Sequence, residues 1–130
     1  MSILSALPAS LSDEEYHERA DALMDEIVDK LEALQEEKGD IDVEYSAGVL
    51  TAILRSGSYV LNKQPPNKQI WLSSPVSGPK RYDWVVMGES MDHKEGSGRG
   101  DWVYLRDGTS LASLLKQEMG IELVLEQVSH

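Results

Sequence analysis

Apolar residues recur at helical spacing over the first third of the chain. A capping-box signature, Ser12 with Glu15 three residues later, precedes them, and Gly39 can supply the left-handed cap that ends a helix. The spacing therefore predicts an amphipathic helix of about 25 residues. Its buried face would consist of Tyr16, Ala20, Leu23, Ile27, Leu31 and Leu34.

After Gly39 the pattern changes to short extended segments separated by turn residues. Strands are predicted near residues 43–45 and at 49–54, 58–64, 69–74, 81–86 and 102–106. Strong turn signals lie between several of them, including the prolines at 65, 66, 75 and 79. Short strands joined by short turns favour an antiparallel meander, and Trp84 and Trp102 are expected in its core.

A second helix is predicted from about residue 110 to residue 119, because Leu111, Leu114, Leu115 and Met119 share one face. Leu123 and Leu125 follow, and they could cover an exposed seam of the core. The order helix, sheet, helix predicts an α+β fold. We expect a two-layer α-β sandwich with two terminal helices packed on one face of a mainly antiparallel sheet.

The domain organisation is predicted to be simple, since 130 residues suit one domain. Residues 1–10 lack periodicity and are expected to form a flexible arm, with the single domain at 11–130. A glycine-rich stretch at about 87–101 is expected to form a long surface loop. The arm resembles neither a signal peptide nor an Arg-rich transit peptide, so if the protein is imported, this chain is expected to be a processed or truncated form.

Composition removes several classes of function. The chain has no cysteine, which excludes disulfides, thiolate metal sites and a cysteine nucleophile, and its three histidines offer little to a catalytic triad. No apolar run is long enough to span a bilayer. The net charge of −11 has the wrong sign for a nucleic-acid binder. We therefore expect no nucleic-acid partner, no membrane partner and no catalytic residues.

The negative charge is confined to the first third of the chain. Residues 1–44 carry 14 acidic and three basic side chains, whereas the remainder carries nine of each. On a helical wheel, five of the acids fall within a sector of about 80° opposite the apolar face. They are Asp21, Asp25, Asp29, Glu32 and Glu36.

This acidic helix face has three interpretations. Like charges at i,i+4 each cost roughly 0.2–0.5 kcal/mol, so a functional face is somewhat favoured over a merely solvated one. Exposed carboxylates suit hard cations such as Fe²⁺, Mn²⁺, Ca²⁺ or Mg²⁺, held loosely with much water. The same face could instead dock onto a basic partner. Glu14 and His17 form only one Glu-x-x-His unit, so a buried di-iron centre is not expected.

A polar segment around Trp71 is the second candidate site. Strand alternation places Ile70 and Leu72 toward the core and Trp71 outward. Amide side chains flank the tryptophan, and an exposed indole among amides is typical of a binding hot spot. The alternative is that Trp71 packs under a loop.

The segment from Asn62 to Trp84, NKQPPNKQIWLSSPVSGPKRYDW, closely resembles the signature of the frataxin family. The resemblance extends over the acidic first helix, the Gly48-Val49-Leu50-Thr51 hairpin and the Trp102-Val103-Tyr104 strand, and its character is eukaryotic and mitochondrial. It covers roughly residues 11–125. The family joins the strand after Trp84 to the next by a short turn, so the longer stretch before Trp102 is a departure.

The resemblance implies two sets of functional residues. The first is a metal-binding acidic ridge, to which His17 is added although many relatives have an acid there: Asp13, His17, Asp21, Asp25, Asp29, Glu32, Glu36, Asp40 and Asp42. The second is a partner-binding sheet surface: Asn62, Lys63, Gln64, Gln69, Trp71 and Arg81. Fe²⁺ would bind weakly to surface carboxylates, with Mn²⁺ or other divalent cations able to replace it in vitro.

The implied function is regulatory. Proteins of this family act in mitochondrial iron–sulfur cluster assembly, where they bind the complex of cysteine desulfurase and scaffold protein and promote sulfur transfer. The resemblance also implies a mitochondrial matrix location, and we expect a monomer, with iron-dependent oligomers as the other state. The alternative function is an iron chaperone or ferroxidase that binds, oxidises or stores Fe²⁺ on the ridge. The sequence favours the regulatory interpretation because it shows no preorganised redox site.

Overall fold

A computed structural model describes residues 8–87 and 99–124 of the protein. The chain begins with helix α1 (Asp13–Lys38) and continues through strands β1 (Asp42–Ser46), β2 (Val49–Leu54) and β3 (Gly57–Gln64). A 3₁₀ turn at Pro65–Asn67 leads into β4 (Gln69–Ser74) and β5 (Gly78–Met87). After the undescribed residues come β6 (Arg99–Tyr104), β7 (Thr109–Ser110) and helix α2 (Leu111–Met119).

The strands form one antiparallel sheet in sequence order from β1 to β7. Both helices pack on one face of this sheet, so the expected two-layer α-β sandwich is confirmed. Alternate residues of each strand point toward the helices and form the core, as a period of two requires. In the described ranges, no helix is both long enough and apolar enough to cross a membrane.

Helix α1 starts and ends where the sequence pattern places its caps. The Ser12 backbone N–H donates to Glu15 Oε1 at 2.9 Å, and the Glu15 N–H donates to Ser12 Oγ at 3.0 Å. This reciprocal pair satisfies two amide groups that the first turn leaves open. The Gly39 N–H then donates to the Gln35 carbonyl at 2.8 Å.

The core forms between α1, α2 and the inner sheet face. Trp84 and Trp102 are buried there as expected, with ring centroids 5.3 Å apart in an edge-to-face arrangement. Gly100 lies against the Trp84 indole, so closely that a Cβ at this position would overlap the ring. Ile121 is buried and Leu123 packs against the core, which confirms that the tail covers a seam, while Leu125 lies outside the described residues.

The expected loop at residues 87–101 needs correction at both ends. Met87 belongs to β5, and residues 99–101 belong to β6, where Val86 pairs with Gly100 and Val85 pairs with Asp101. The remaining positions, 88–98, lie outside the described residues. Gly100 and Asp101 continue the ladder of β5, which a glycine-rich composition concealed. The two-residue strand β7 was also not anticipated.

Ala9, which belongs to the expected flexible arm, contacts the sheet. The Ala9 N–H donates to the Trp84 carbonyl at 2.8 Å, and Ala9 packs against the core. Residues 1–7 lie outside the described part of the chain. An apolar alanine beside an open carbonyl gives no periodic signal, which explains why the pattern missed this contact.

Glu118 of α2 holds the turn between β4 and β5. Its carboxylate accepts hydrogen bonds from Tyr59 at 3.1 Å, from Ser74 at 2.7 Å and from Ser77 at 2.6 Å. Burial alone would raise the pKa of Glu118, but the bonds from Ser77, Ser74 and Tyr59 hold it below its usual value. No local pattern predicts this arrangement, because its members are far apart along the chain.

We expect Glu118→Gln to lower the free energy of unfolding near neutral pH by about 1 kcal/mol, since an amide nitrogen cannot accept the hydroxyl hydrogen bonds. Because the folded-state pKa of Glu118 is lowered, its contribution is present above the unfolded pKa of about 4.3 and disappears as the pH falls through the folded value. Urea unfolding from about pH 7 to about pH 3 checks this. The difference between wild type and variant should shrink on acidification, whereas a Glu37→Gln control should show no such trend.

Candidate functional site

The outer face of the sheet carries an ordered row of side chains. Strand register pairs Asn62 of β3 with Trp71 of β4, and Trp71 with Arg81 of β5. A second row, two residues further along, joins Gln64, Gln69 and Asp83 in the same way. Because residues two apart share a face, both rows lie on the side of the sheet away from the helices. We call Asn62, Gln64, Gln69, Trp71 and Arg81 the polar–aromatic surface.

Hydrogen bonds fix the orientation of Trp71. Its indole Nε1–H donates to Gln69 Oε1 at 2.8 Å, and the Gln69 amide group donates to both Asp83 carboxylate oxygens at 3.2 and 3.3 Å. The Arg81 guanidinium stacks on the indole, 4.7 Å from the ring centroid. Burial raises the pKa of Asp83, and the Gln69 hydrogen bond offsets this only in part. The indole is thus preorganised and does not rotate freely.

Trp71 is half-buried rather than substantially exposed, which corrects the expectation of an open indole. The cover comes from Arg81 and Gln69, which are themselves members of the surface. Trp71 lines a shallow depression of about 660 Å³ on the outer face of the sheet. Its lining includes Val60, Asn62, Trp71, Ser73, Arg81 and Arg106. Within residues 8–87 and 99–124, the partners given for Trp71 are strand residues and not loop residues, and its outward direction is as expected.

Lys63 does not lie on this surface, although the resemblance groups it with the others. It is paired in register with buried Ile70, so alternation turns its side chain to the helix side of the sheet. There Lys63 Nζ lies 2.6 Å from Asp21 Oδ1 of α1. The placement follows from parity, since Lys63 stands between Asn62 and Gln64, and both of those point outward.

Tyr16 of α1 binds the backbone of two residues of the polar–aromatic surface through its hydroxyl group. The apolar pattern of the sequence predicted Tyr16 only as a core residue. Its hydroxyl donates to the Gln69 carbonyl at 2.7 Å and accepts the Gln64 N–H at 2.9 Å. Burial, offset in part by the Gln64 bond, raises the Tyr16 pKa to about 12, so the hydroxyl keeps its proton at neutral pH. Its position within an apolar repeat gave no sign of this polar role.

The acidic ridge forms a continuous exposed band along α1 and into β1. All nine of its residues are exposed. Three of them are in ion pairs: Asp21 with Lys63 at 2.6 Å, Asp13 with Lys68 at 3.5 Å and Asp40 with Arg55 at 3.2 Å. Burial first, and then the charges of Asp21 and Asp25, raises the pKa of Tyr45. The charges of these two carboxylates therefore act on Tyr45 of β1.

The ridge does not form a closed metal cage. Within residues 8–87 and 99–124, no three acidic or histidine side chains converge in a geometry that could hold a metal ion. Pairs one turn apart, such as Asp21 with Asp25 and Asp25 with Asp29, can each offer a hard cation one or two oxygen ligands, with water completing its shell. The donor set therefore fits weak surface binding of a cation such as Fe²⁺ and does not fit a resident redox cofactor.

Comparison with known proteins agrees with this arrangement. A family model described as a frataxin-like domain matches residues 9–124. The mitochondrial frataxin homolog of Saccharomyces cerevisiae is 47% identical over 109 residues, which cover 82% of this chain and 55% of the relative. The mitochondrial frataxin homolog of Schizosaccharomyces pombe is 43% identical over 112 residues, which cover 84% of this chain and 64% of the relative. The chain thus spans between about half and two thirds of the length of these relatives.

A solved structure has the same architecture. Trimeric frataxin from Saccharomyces cerevisiae, crystallised as a complex with ferrous iron, shares 41% identity and a TM-score of 0.60, with 88% of each chain covered. A second yeast frataxin structure gives 45% identity and a TM-score of 0.63, covering 85% of this chain and 81% of the other.

Fold and surface together define a frataxin-like α-β sandwich, with an acidic outer helix above a polar and aromatic sheet. The chain belongs to the frataxin family. The expected eukaryotic, mitochondrial character is confirmed by relatives named as mitochondrial frataxins in yeasts and in Caenorhabditis elegans.

Proposed function

We propose that the protein is an iron-binding regulator of iron–sulfur cluster assembly in the mitochondrial matrix. It binds the complex of cysteine desulfurase and scaffold protein and promotes sulfur transfer to the scaffold. The observation that supports this most is the preorganised polar–aromatic surface. Trp71 is held by Gln69 and Arg81 in the free protein, so a partner can bury a rigid indole at low entropic cost.

The acidic ridge has a supporting role in this proposal. Its open carboxylates suit either weak binding of Fe²⁺ as cargo or contact with a basic region of the partner complex. Metal ligands are proposed at the residues named for the ridge, with Asp21, Asp25 and Asp29 at its centre. Iron-dependent oligomers follow the example of the trimeric yeast relative with ferrous iron, and size-exclusion chromatography with and without Fe²⁺ tests them.

An iron chaperone or ferroxidase is the second candidate, favoured by the exposed carboxylates of the ridge and by the ferrous complex of the yeast relative. The absence of a converging three-ligand group among the described residues speaks for loose cargo binding over a preorganised oxidation site. Anaerobic addition of Fe²⁺ followed by oxygen, with Fe³⁺ measured by absorbance, separates storage or oxidation from regulation.

The direct test is cysteine desulfurase turnover with its scaffold, measured with and without this protein and with and without Fe²⁺. Regulation predicts faster sulfide production whenever the protein is present. If the protein raises turnover only when Fe²⁺ is present, the iron chaperone or ferroxidase is favoured instead. Unchanged turnover in all four conditions would contradict the proposed regulation.

The ridge is tested by changing two acids that are in no ion pair within the described residues. We expect Asp25→Asn with Asp29→Asn to weaken Fe²⁺ and Mn²⁺ binding several-fold, measured by anaerobic calorimetry. The fold should be retained, or stabilised by up to about 1 kcal/mol, because repulsion between like charges at i,i+4 is relieved. Glu37→Gln with Glu122→Gln makes the same charge change off the ridge and should leave metal affinity nearly unchanged. A large loss of thermal stability in the ridge variant would show that these carboxylates are structural.

A further inference from the structure

Among the described residues, Lys63 is the least exposed cation that is paired with the acidic ridge. Its side chain is 14% exposed, whereas that of its partner Asp21 is 53% exposed. The aliphatic stem lies 3.8 Å from the position that a Cβ would take at Gly48, and the Lys63 N–H donates to the Gly48 carbonyl at 3.0 Å. The ammonium is therefore held in place from the sheet side.

The other ion pairs of the ridge are looser. The charged groups of Lys68 and Asp13 are 3.5 Å apart, and their side chains are 38% and 89% exposed. Those of Arg55 and Asp40 are 3.2 Å apart, and their side chains are 86% and 68% exposed. Exposed pairs of this kind contribute little, because both side chains must give up rotational freedom to meet. Lys63 loses less, since packing already restricts it. The Lys63–Asp21 pair is thus the one ridge pair among the described residues with a preplaced cation.

We propose that Lys63 is a built-in counter-ion that a divalent cation has to displace from Asp21, so that Lys63 sets the cation affinity at this end of the ridge. The inference rests on the iron binding proposed above for the ridge. Lys63 occupies Oδ1, and its positive charge repels a cation that approaches the same carboxylate. Asp25 and Asp29, one and two turns further along, lack such a competitor within the described residues.

The pair also connects the two candidate sites. Lys63 stands in β3 between Asn62 and Gln64, which belong to the polar–aromatic surface on the opposite face. A cation bound at Asp21 therefore frees the side chain of Lys63. Lys63 belongs to the strand that also carries these partner-binding residues. By thermodynamic reciprocity, whatever strengthens the Lys63–Asp21 pair weakens cation binding there by the same factor.

The test is Lys63→Met, which keeps the aliphatic stem and removes the charge. Mn²⁺ is titrated into labelled protein, and paramagnetic broadening of individual backbone amide signals reports the affinity at each point of the ridge. Binding near Asp21 should become about three- to tenfold tighter, while signals near Glu36 should change little. The matched control is Lys116→Met, which removes a lysine of α2 that is paired with Glu122. This variant should bind Mn²⁺ like the wild type.

A second readout uses the unaltered protein. Acetylation of Lys63 by acetic anhydride, followed by mass spectrometry, should be slow without metal and faster at saturating Mn²⁺. If Mn²⁺ broadens the Asp21 region in the wild type but neither Lys63 reactivity nor the affinity of the Met variant changes, the counter-ion inference is overturned and ridge binding stands. If the wild type shows no broadening along the ridge, the proposed metal binding fails, and the inference fails with it.

Discussion

Trp71→Ala is expected to weaken binding to the desulfurase–scaffold complex by about 2 kcal/mol or more, roughly a 30-fold loss of affinity. The domain itself should lose only about 1 kcal/mol of stability, because the half-buried indole contacts Arg81 and Gln69 at the surface and does not fill the core. Calorimetric titration of the partner complex and urea unfolding measure the two quantities separately.

Two further variants make this test selective. Trp71→Phe keeps an aromatic face for Arg81 but loses the hydrogen bond to Gln69, so its affinity should fall between those of Ala and the wild type. Val76→Ala removes an exposed apolar side chain in the turn between β4 and β5 and should bind normally. The assignment of Trp71 as a partner anchor fails if its removal leaves affinity unchanged, or if it destabilises the domain by the ~3–5 kcal/mol typical of a core aromatic residue.

Gly100→Ala is expected to destabilise the domain by about 2–3 kcal/mol. The added methyl group would overlap the Trp84 indole, which cannot move freely because Trp102 packs against it edge to face. The loss should appear as a lower midpoint in urea unfolding with little change in slope, since the same surface is exposed on unfolding.

A double-mutant cycle identifies the cause of that loss. Trp84→Phe alone removes part of a core side chain and should itself be destabilising. Combined with Gly100→Ala, it leaves room for the new methyl group, so the double variant should be more stable than the sum of the single effects by about 1 kcal/mol. Strict additivity would mean that overlap with Trp84 is not the reason for glycine at position 100.

Sequence periodicity predicted most of the fold correctly. The bounds of α1 followed from an apolar repeat with a cap at each end, and both caps form the expected hydrogen bonds. The hairpin of β1 and β2 and the strand β4 followed from short-range signals, because turn residues and alternation are local properties of the chain. The strand ends on either side of residues 88–98 could not be predicted, since glycines at a strand end have the composition of a loop.

Alternation predicted the sheet face on which Trp71 lies, but not the contacts that it makes. Its partner-binding neighbours were named by the resemblance to the family signature and stay a prediction. Alternation also applies to Lys63, which stands at an inward position of β3 and was nevertheless grouped with the outer residues. Here the periodic rule was a better guide than the family resemblance.

By itself, the sequence determined the two-layer architecture, the acidic face of α1 and the alternation of inward and outward residues along the strands it predicted. These depend on periods of 3.6 and 2, which are written along the chain. Only the tertiary structure decided which distant groups meet: Lys63 with Asp21, the Tyr16 hydroxyl with Gln64 and Gln69, and Glu118 with the hydroxyls of β3 and the β4–β5 turn. Such pairs form between elements far apart in sequence, where register and packing set the distance and no local pattern records it.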